Sequence, residues 1–460
     1  MNELTQIIEI QDQVYIPQSG NIENRKDYTY GFNKSERGTG VMKVDVSTAK
    51  SEKFLNSASI EEKLKKAANI QKELYQSKER EQVLGWIHVK SAAVQLDEIK
   101  AKAAEVRQKA EIFVVAGVGG SNQASRAIIE ALQETDGPRV IYLGNTLSPH
   151  YISKMMELLK DKSIYINIIA KNFETLEPGS HFRILRNYME KIYTKEEMSD
   201  RVILTGTYGS RMEEISKENG YTFFSFPEAI GGRYSAFSPV GLFPMAVAGL
   251  DLDKFLHGVS IAENYCMEHS DRNPALQYAA VRNLLYENNY NIELLTAFEP
   301  QYAYFTKWWI QLFGESEGKK KKGIFPTAAI YSEDLHSMGQ YMQDGRRNLI
   351  ETFIKVRNTN SSVIVKEDRL FRDGFDYLEN MDFDTINKVA EKATIEAHSN
   401  GGVPCIEFEV EEISEETYGS LYYIFMLSCA ISGLLMGVNP FDQEGVEEYK
   451  RSMFKGLGKN

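Results

Sequence analysis

Short runs of β-branched and aromatic residues alternate along this chain with longer segments of helical period, and this alternation limits the fold more than any other feature. Ile112 to Ala116, Val140 to Leu143, Ser163 to Ala170, Val202 to Thr205 and Tyr221 to Phe226 read as five strands. Helix-like segments such as Ser125 to Leu132 and Tyr151 to Leu159 lie between them, which is the pattern of a parallel, doubly wound α/β sheet. A less regular set follows: Ile292 to Thr296, Phe325 to Ile330, Ser362 to Val365 and Ile406 to Val410. It predicts a second α/β domain of similar design, and 460 residues are enough for two or three cores. Upstream, Ile60, Leu64, Ala67, Leu74 and Tyr75 recur at helical spacing among lysines and glutamates, as in an amphipathic helix.

A net charge of -12 argues against nucleic acid or an anionic membrane as partner, since both need a basic surface. An anionic substrate must then be held by local donors. Cys266, Cys405 and Cys429 are odd in number and lack CxxC spacing, so the chain reads as reduced and cytoplasmic rather than disulfide-framed. No targeting signal or membrane span is read. Histidines 88, 150, 181, 257, 269, 336 and 398 are scattered without HxH or HExxH spacing, and no metal or other cofactor is expected. The run Lys319 to Lys322, between Gly318 and Gly323, reads as a solvated loop tip.

Gly117-Val118-Gly119-Gly120-Ser121 follows the first of these strands and opens a helix, so its glycines permit a tight turn and its free amides can meet an anion. The third glycine of a dinucleotide fingerprint is missing. Four further stretches are informative together: Gly231-Gly232-Arg233-Tyr234-Ser235 with Val240-Gly241-Leu242; Leu312-Phe313-Gly314-Glu315-Ser316-Glu317-Gly318; Asp334-Leu335-His336-Ser337-Met338-Gly339-Gln340 running into Gly345-Arg346-Arg347-Asn348; and Val438-Asn439-Pro440-Phe441-Asp442-Gln443, followed by Lys450. In this order the chain resembles the glucose-6-phosphate isomerase family, its bacterial members above all, from about residue 60 to the C-terminus.

The resemblance implies two sugar-isomerase (SIS) domains, each a parallel sheet flanked by helices, and a C-terminal helix. It divides the chain into an N-terminal segment 1–60, SIS domains at 61–235 and 236–435, and a catalytic helix in 436–460. By resemblance, Glu315 is the base that moves a proton between C1 and C2 of a phosphosugar. His336 acts in ring opening from the partner of a homodimer, Lys450 assists at the ring oxygen, and Arg233 stabilises the enediolate. Gly120, Ser121, Lys171, Asn172, Thr175 and Gln443 make up the expected substrate-binding set.

The residues offer a physical reading of their own. Trp308, Trp309, Ile310, Leu312 and Phe313 precede Glu315 and can wall its carboxylate with apolar surface, which makes a stronger base. Val446, Lys450, Met453 and Leu457 share one helical face, expected to point inward. His336 stands off the stripe of Leu335, Met338 and Met342, on a side that can face a partner. Arg233 follows paired glycines that let the backbone turn closely and aim a guanidinium into a cleft.

One stretch departs from the family pattern. Its serine- and threonine-rich phosphate loop is replaced by Ala170-Lys171-Asn172-Phe173-Glu174-Thr175, which removes a hydroxyl and adds a carboxylate expected to face away from the cleft. Two alternatives therefore stay open: an aldose-ketose isomerase for another hexose or phosphosugar, and a sugar-phosphate-binding SIS module without catalysis.

Overall fold

The computed structural model describes residues 44–459 apart from 79, 134, 135, 172, 269–271 and 372. Asn172 of the expected substrate set thus lies outside the described residues. The described strands are β1 (Val44–Ser47), β2 (Ile112–Ala116), β3 (Arg139–Leu143), β4 (Ile164–Ile169), β5 (Val202–Gly206), β6 (Thr222–Ser225), β7 (Ile292–Ala297), β8 (Phe325–Ile330), β9 (Leu349–Asn358) and β10 (Cys405–Glu412). They form two five-stranded sheets ordered β3-β2-β4-β5-β6 and β1-β10-β9-β7-β8.

The first sheet is parallel throughout, as its helix-separated strands require. Strand β2 shows why its sequence is apolar without a break. Phe113 and Val115 join the large central core, while Ile112, Val114 and Ala116 join a separate core on the other face. A strand covered by helices on both sides has no polar face. The central core lies between the sheets and contains the Glu415–Leu435 helix. That helix is long and apolar enough to cross a membrane, yet 89% of its apolar window is buried inside the protein, so it serves as a core element.

The second sheet departs from expectation at three places. Leu349–Asn358 is a central strand that reads poorly from sequence, because Glu351, Lys355 and Arg357 interrupt its apolar run. The expected strand Ser362 to Val365 makes only one isolated bridge, Ile364 to Asp382. Val44–Ser47 adds an antiparallel edge to the otherwise parallel sheet. Its pairing and the packing of the Ser57–Gln76 helix on the Pro274–Glu287 and Glu415–Leu435 helices join the early chain to the second sheet. The Pro239–Val247 helix, beyond residue 235, packs instead on helices beneath the first sheet. We propose that 235 divides the sheets but not all of their helices.

Candidate active site

The order of the first sheet defines where a ligand can enter. Chain order runs from β2 outward to β3, then back across to β4, so helices leave β2 and β4 on opposite faces. A crevice opens between them at the carboxyl edge, flanked by the amino ends of the Gly120–Leu132 and Leu176–Met189 helices. In the turn after β2, Gly119 has φ +58°, a conformation costly for residues with a side chain. The amides of Ser121, Asn122 and Gln123 turn back onto the Val118 and Gly119 carbonyls. Among the described residues, the backbone amides of this turn left for an anion are therefore those of Val118, Gly119 and Gly120.

Two glycine motifs meet here. A Cβ on Gly120 would lie 2.0 Å from the Gly232 carbonyl oxygen, so this contact needs bare backbone. The same approach sets Arg233 beside the anion turn. A Cβ on Gly119 would lie 2.7 Å from Gln311 Nε2, which brings in the Ala303–Glu317 helix. Gln311 lies one helical turn before Glu315 and donates to its Oε1 at 3.1 Å.

Arg233, 3% exposed, holds the centre of the site. Its Nε donates to Ser316 Oγ at 2.8 Å and its Nη1 to Glu315 Oε2 at 3.3 Å. Nη2 donates to the carbonyls of Pro440 at 2.5 Å and Asp442 at 3.0 Å. A guanidinium has five N–H groups, and these bonds use four. Among the described residues, one Nη1 hydrogen is left without an acceptor. The Arg233 carbonyl accepts from Trp308 Nε1 at 3.2 Å, and Tyr234 Oη sits 3.1 Å from Ser316 Oγ.

Glu315 is accordingly not walled by the aromatic run before it. Trp308, Trp309, Leu312 and Phe313 are fully buried, while the Glu315 side chain is 27% exposed between Gln311 and Arg233. Sequence reasoning missed Gln311 and Ser316. The spacing of four between Gln311 and Glu315 was the available signal.

The remaining candidates are less united. Lys171 places Nζ 2.7 Å from the Glu228 carbonyl and 3.1 Å from that of Ile230, so it braces the segment before Gly231. Burial holds its amine below the usual lysine range. Thr175 and Glu174 are exposed at the start of the Leu176–Met189 helix. Gln443 is exposed just after Asp442. The expected inward stripe of Lys450 is absent: the Glu447–Gly456 helix has no buried residue, and Lys450 pairs with Glu447 at 2.8 Å. His336 is exposed in the first turn of the Leu335–Asp344 helix. Among the described residues, no hydrogen bond or ion pair joins His336 or Lys450 to Arg233 or Glu315.

Topology explains the position of His336. A helix between parallel strands runs back along the sheet, so Glu315, near the end of the Ala303–Glu317 helix, lies toward the amino edge of β8. His336 follows the carboxyl end of that strand. The six residues of β8 alone span about 20 Å, beyond the reach of two side chains in hydrogen-bond contact. Among the described residues, no group of three or more His, Cys, Asp or Glu side chains is arranged to hold a metal ion.

A family model described as phosphoglucose isomerase matches residues 88–457 of this chain. Two curated relatives named glucose-6-phosphate isomerase, from Acetivibrio thermocellus and Fusobacterium nucleatum, are 41% and 40% identical over 390 residues, covering 82% of this chain and 87% of each relative. Among solved structures, a hypothetical protein from Thermus thermophilus matches with a TM-score of 0.83 at 23% identity, over 90% of this chain and 99% of that one. A glucose-6-phosphate isomerase from Chlamydia trachomatis matches with a TM-score of 0.76 at 19% identity, over 91% and 89%. At these identities the two structures speak to the fold alone.

Proposed function

The chain belongs to the phosphoglucose isomerase family and interconverts glucose 6-phosphate with fructose 6-phosphate, and we propose that it does so with Glu315 as the proton carrier. The observation that carries this assignment is the meeting of an ionisable carboxylate, a buried guanidinium with one free donor and a glycine turn with open amides. The turn takes the phosphate dianion. Once the ring is open, Glu315 removes the proton from C2 while the electron pair of that C–H bond forms the C1=C2 double bond. The aldehyde π electrons move onto the C1 oxygen, where the free Arg233 N–H offsets the charge of the enediolate.

Transfer of the C2 hydroxyl proton to the C1 oxygen and return of the proton from Glu315 to C1 give the ketose. No electrons leave the substrate. Gln311 and Arg233 each hold one Glu315 oxygen, which fixes the carboxylate plane against the reacting carbons. His336 from a partner subunit and Lys450 serve ring opening, a role that the strand-length separation of His336 from its own Glu315 favours.

Replacing Glu315 with Gln keeps the shape and removes the base. Turnover of fructose 6-phosphate is expected to fall roughly 100- to 10,000-fold with KM nearly unchanged, and C2 hydrogen exchange with deuterated solvent to stop. Exchange persisting at the wild-type rate would remove Glu315 as the proton carrier.

A further inference from the structure

The lysine run expected at a solvated tip is exposed at Lys320, Lys321 and Lys322 but not at Lys319. The Lys319 side chain is 15% exposed and places Nζ 2.9 Å from Asp442 Oδ1 and 3.2 Å from the Ser316 carbonyl. It donates to the Asn439 carbonyl as well. Lys322 donates to the Met436 carbonyl at 2.9 Å, at the C-terminal cap of the Glu415–Leu435 helix, where a cation complements the helix dipole. Lys320 and Lys321, between them, are exposed and take left-handed backbone with φ of 52° and 60°. Two of the four lysines therefore grip one connection while the other two make the turn between them.

That connection, Met436 to Asp442, is the one whose Pro440 and Asp442 carbonyls hold Arg233. Its other contact with the site is the Phe441 ring, 5.7 Å from that of Tyr234. Beyond Asp442 the chain passes to Gln443 and to a helix with no buried residue. The lysines thus fix the last anchored stretch before that arm. Lys319 reaches it from a point four residues after Glu315, so base, guanidinium and connection close into one ring of contacts. Burial also lowers the Lys319 amine below the usual lysine range, as expected of a cation that exchanges water for protein acceptors.

We propose that Lys319 and Lys322 are positioning residues for the isomerisation, holding the Met436–Asp442 connection where its carbonyls set Arg233 against Glu315. The inference rests on the roles given to Arg233 and Glu315 above. Small displacements of a reacting group are costly, with about 100-fold lost for a 1 Å error.

Steady-state kinetics of the full chain on fructose 6-phosphate test it. Lys319→Met is expected to lower kcat roughly 10- to 100-fold with KM within about threefold, because the Gly117–Ser121 turn is not part of the clasp. Lys319→Arg retains most of the activity, since a guanidinium also donates to Asp442 and nearby carbonyls. The double variant Lys320→Met/Lys321→Met keeps wild-type kinetics. Full kcat in Lys319→Met with only a lower melting temperature would overturn the positioning role alone, whereas an inactive wild type would overturn the parent assignment and this one together. If Lys319→Met fails to fold, Asp442→Asn and Lys322→Met take its place, and wild-type kcat in both would refute the clasp.

Discussion

Arg233 is 3% exposed and makes four hydrogen bonds, to a hydroxyl, a carboxylate and two carbonyls, and only a rigid planar fork meets all four at once. Its surroundings, more than its charge, select the one N–H available for the proposed substrate contact. A different side chain records the cost of burial without a partner. Glu391, 8% exposed on the Phe383–Asn400 helix, has its carboxyl pushed up to about 7, first by desolvation and further by Glu407, Glu409 and Glu299, against the pull of Lys355. Its folded value lies above the unfolded 4.5, so its favourable contribution is complete below pH 4.5 and is lost as pH rises through about 7. Glu391→Gln should therefore leave stability unchanged in acid and raise it by about 3 kcal/mol near pH 8. Urea denaturation of both proteins across pH measures this, and a difference independent of pH would disprove it.

Among the elements, the Ala303–Glu317 helix is pinned from two sides at the turn that carries Glu315, the proposed base. Glu315 and Ser316 meet Arg233, while Glu317, fully buried, accepts from Arg282 Nη1 at 2.5 Å. Arg282, on the Pro274–Glu287 helix, also pairs with Glu293 of β7 and donates to Ser432 Oγ at 3.0 Å. Tyr278 and Thr352 donate to Glu293 at 2.6 and 2.7 Å. One guanidinium thus balances two carboxylates where none of the three touches water. Arg282→Met leaves both uncompensated and is expected to cost about 3–5 kcal/mol, with the further changes Glu293→Gln and Glu317→Gln recovering much of it. Thermal and urea melts of the single and triple variants distinguish this from simple loss of packing, in which the added changes would only destabilise further.

For the whole molecule, the proposed active centre, with Glu315 beside Arg233 and the Gly117–Ser121 turn, joins the carboxyl edge of the first sheet to the helix that ends at the amino edge of β8, and His336 follows the carboxyl end of that strand. If the partner subunit supplies that imidazole, His336→Ala and Glu315→Gln proteins, each inactive alone, should complement when unfolded and refolded together. Each mixed dimer then contains one intact site and one doubly defective site. Random pairing predicts about a quarter of wild-type activity. No recovery, with mixed dimers shown to be present, would place both residues in the same subunit.

Strand periodicity and the four motif stretches were legible because they depend on local chemistry. A strand covered on both faces must be apolar, and a turn that approaches backbone closely must be glycine. Seven strands read from sequence, β2 to β8, and an eighth, β10, fall where expected. Leu349–Asn358 escaped because its charged residues are satisfied by neighbours distant in sequence, as Lys355 is by Glu407 and Glu409. The same limit hid Lys319, since nothing near it in the chain announces that Asp442 lies 2.9 Å away. By itself, then, the sequence determined the α/β class and marked the glycine turn, Glu315 and Arg233 as the residues on which the proposed site is built. Tertiary structure alone decided which groups surround them, because a hydrogen bond or ion pair depends on distance in space, and only the packed chain sets that distance.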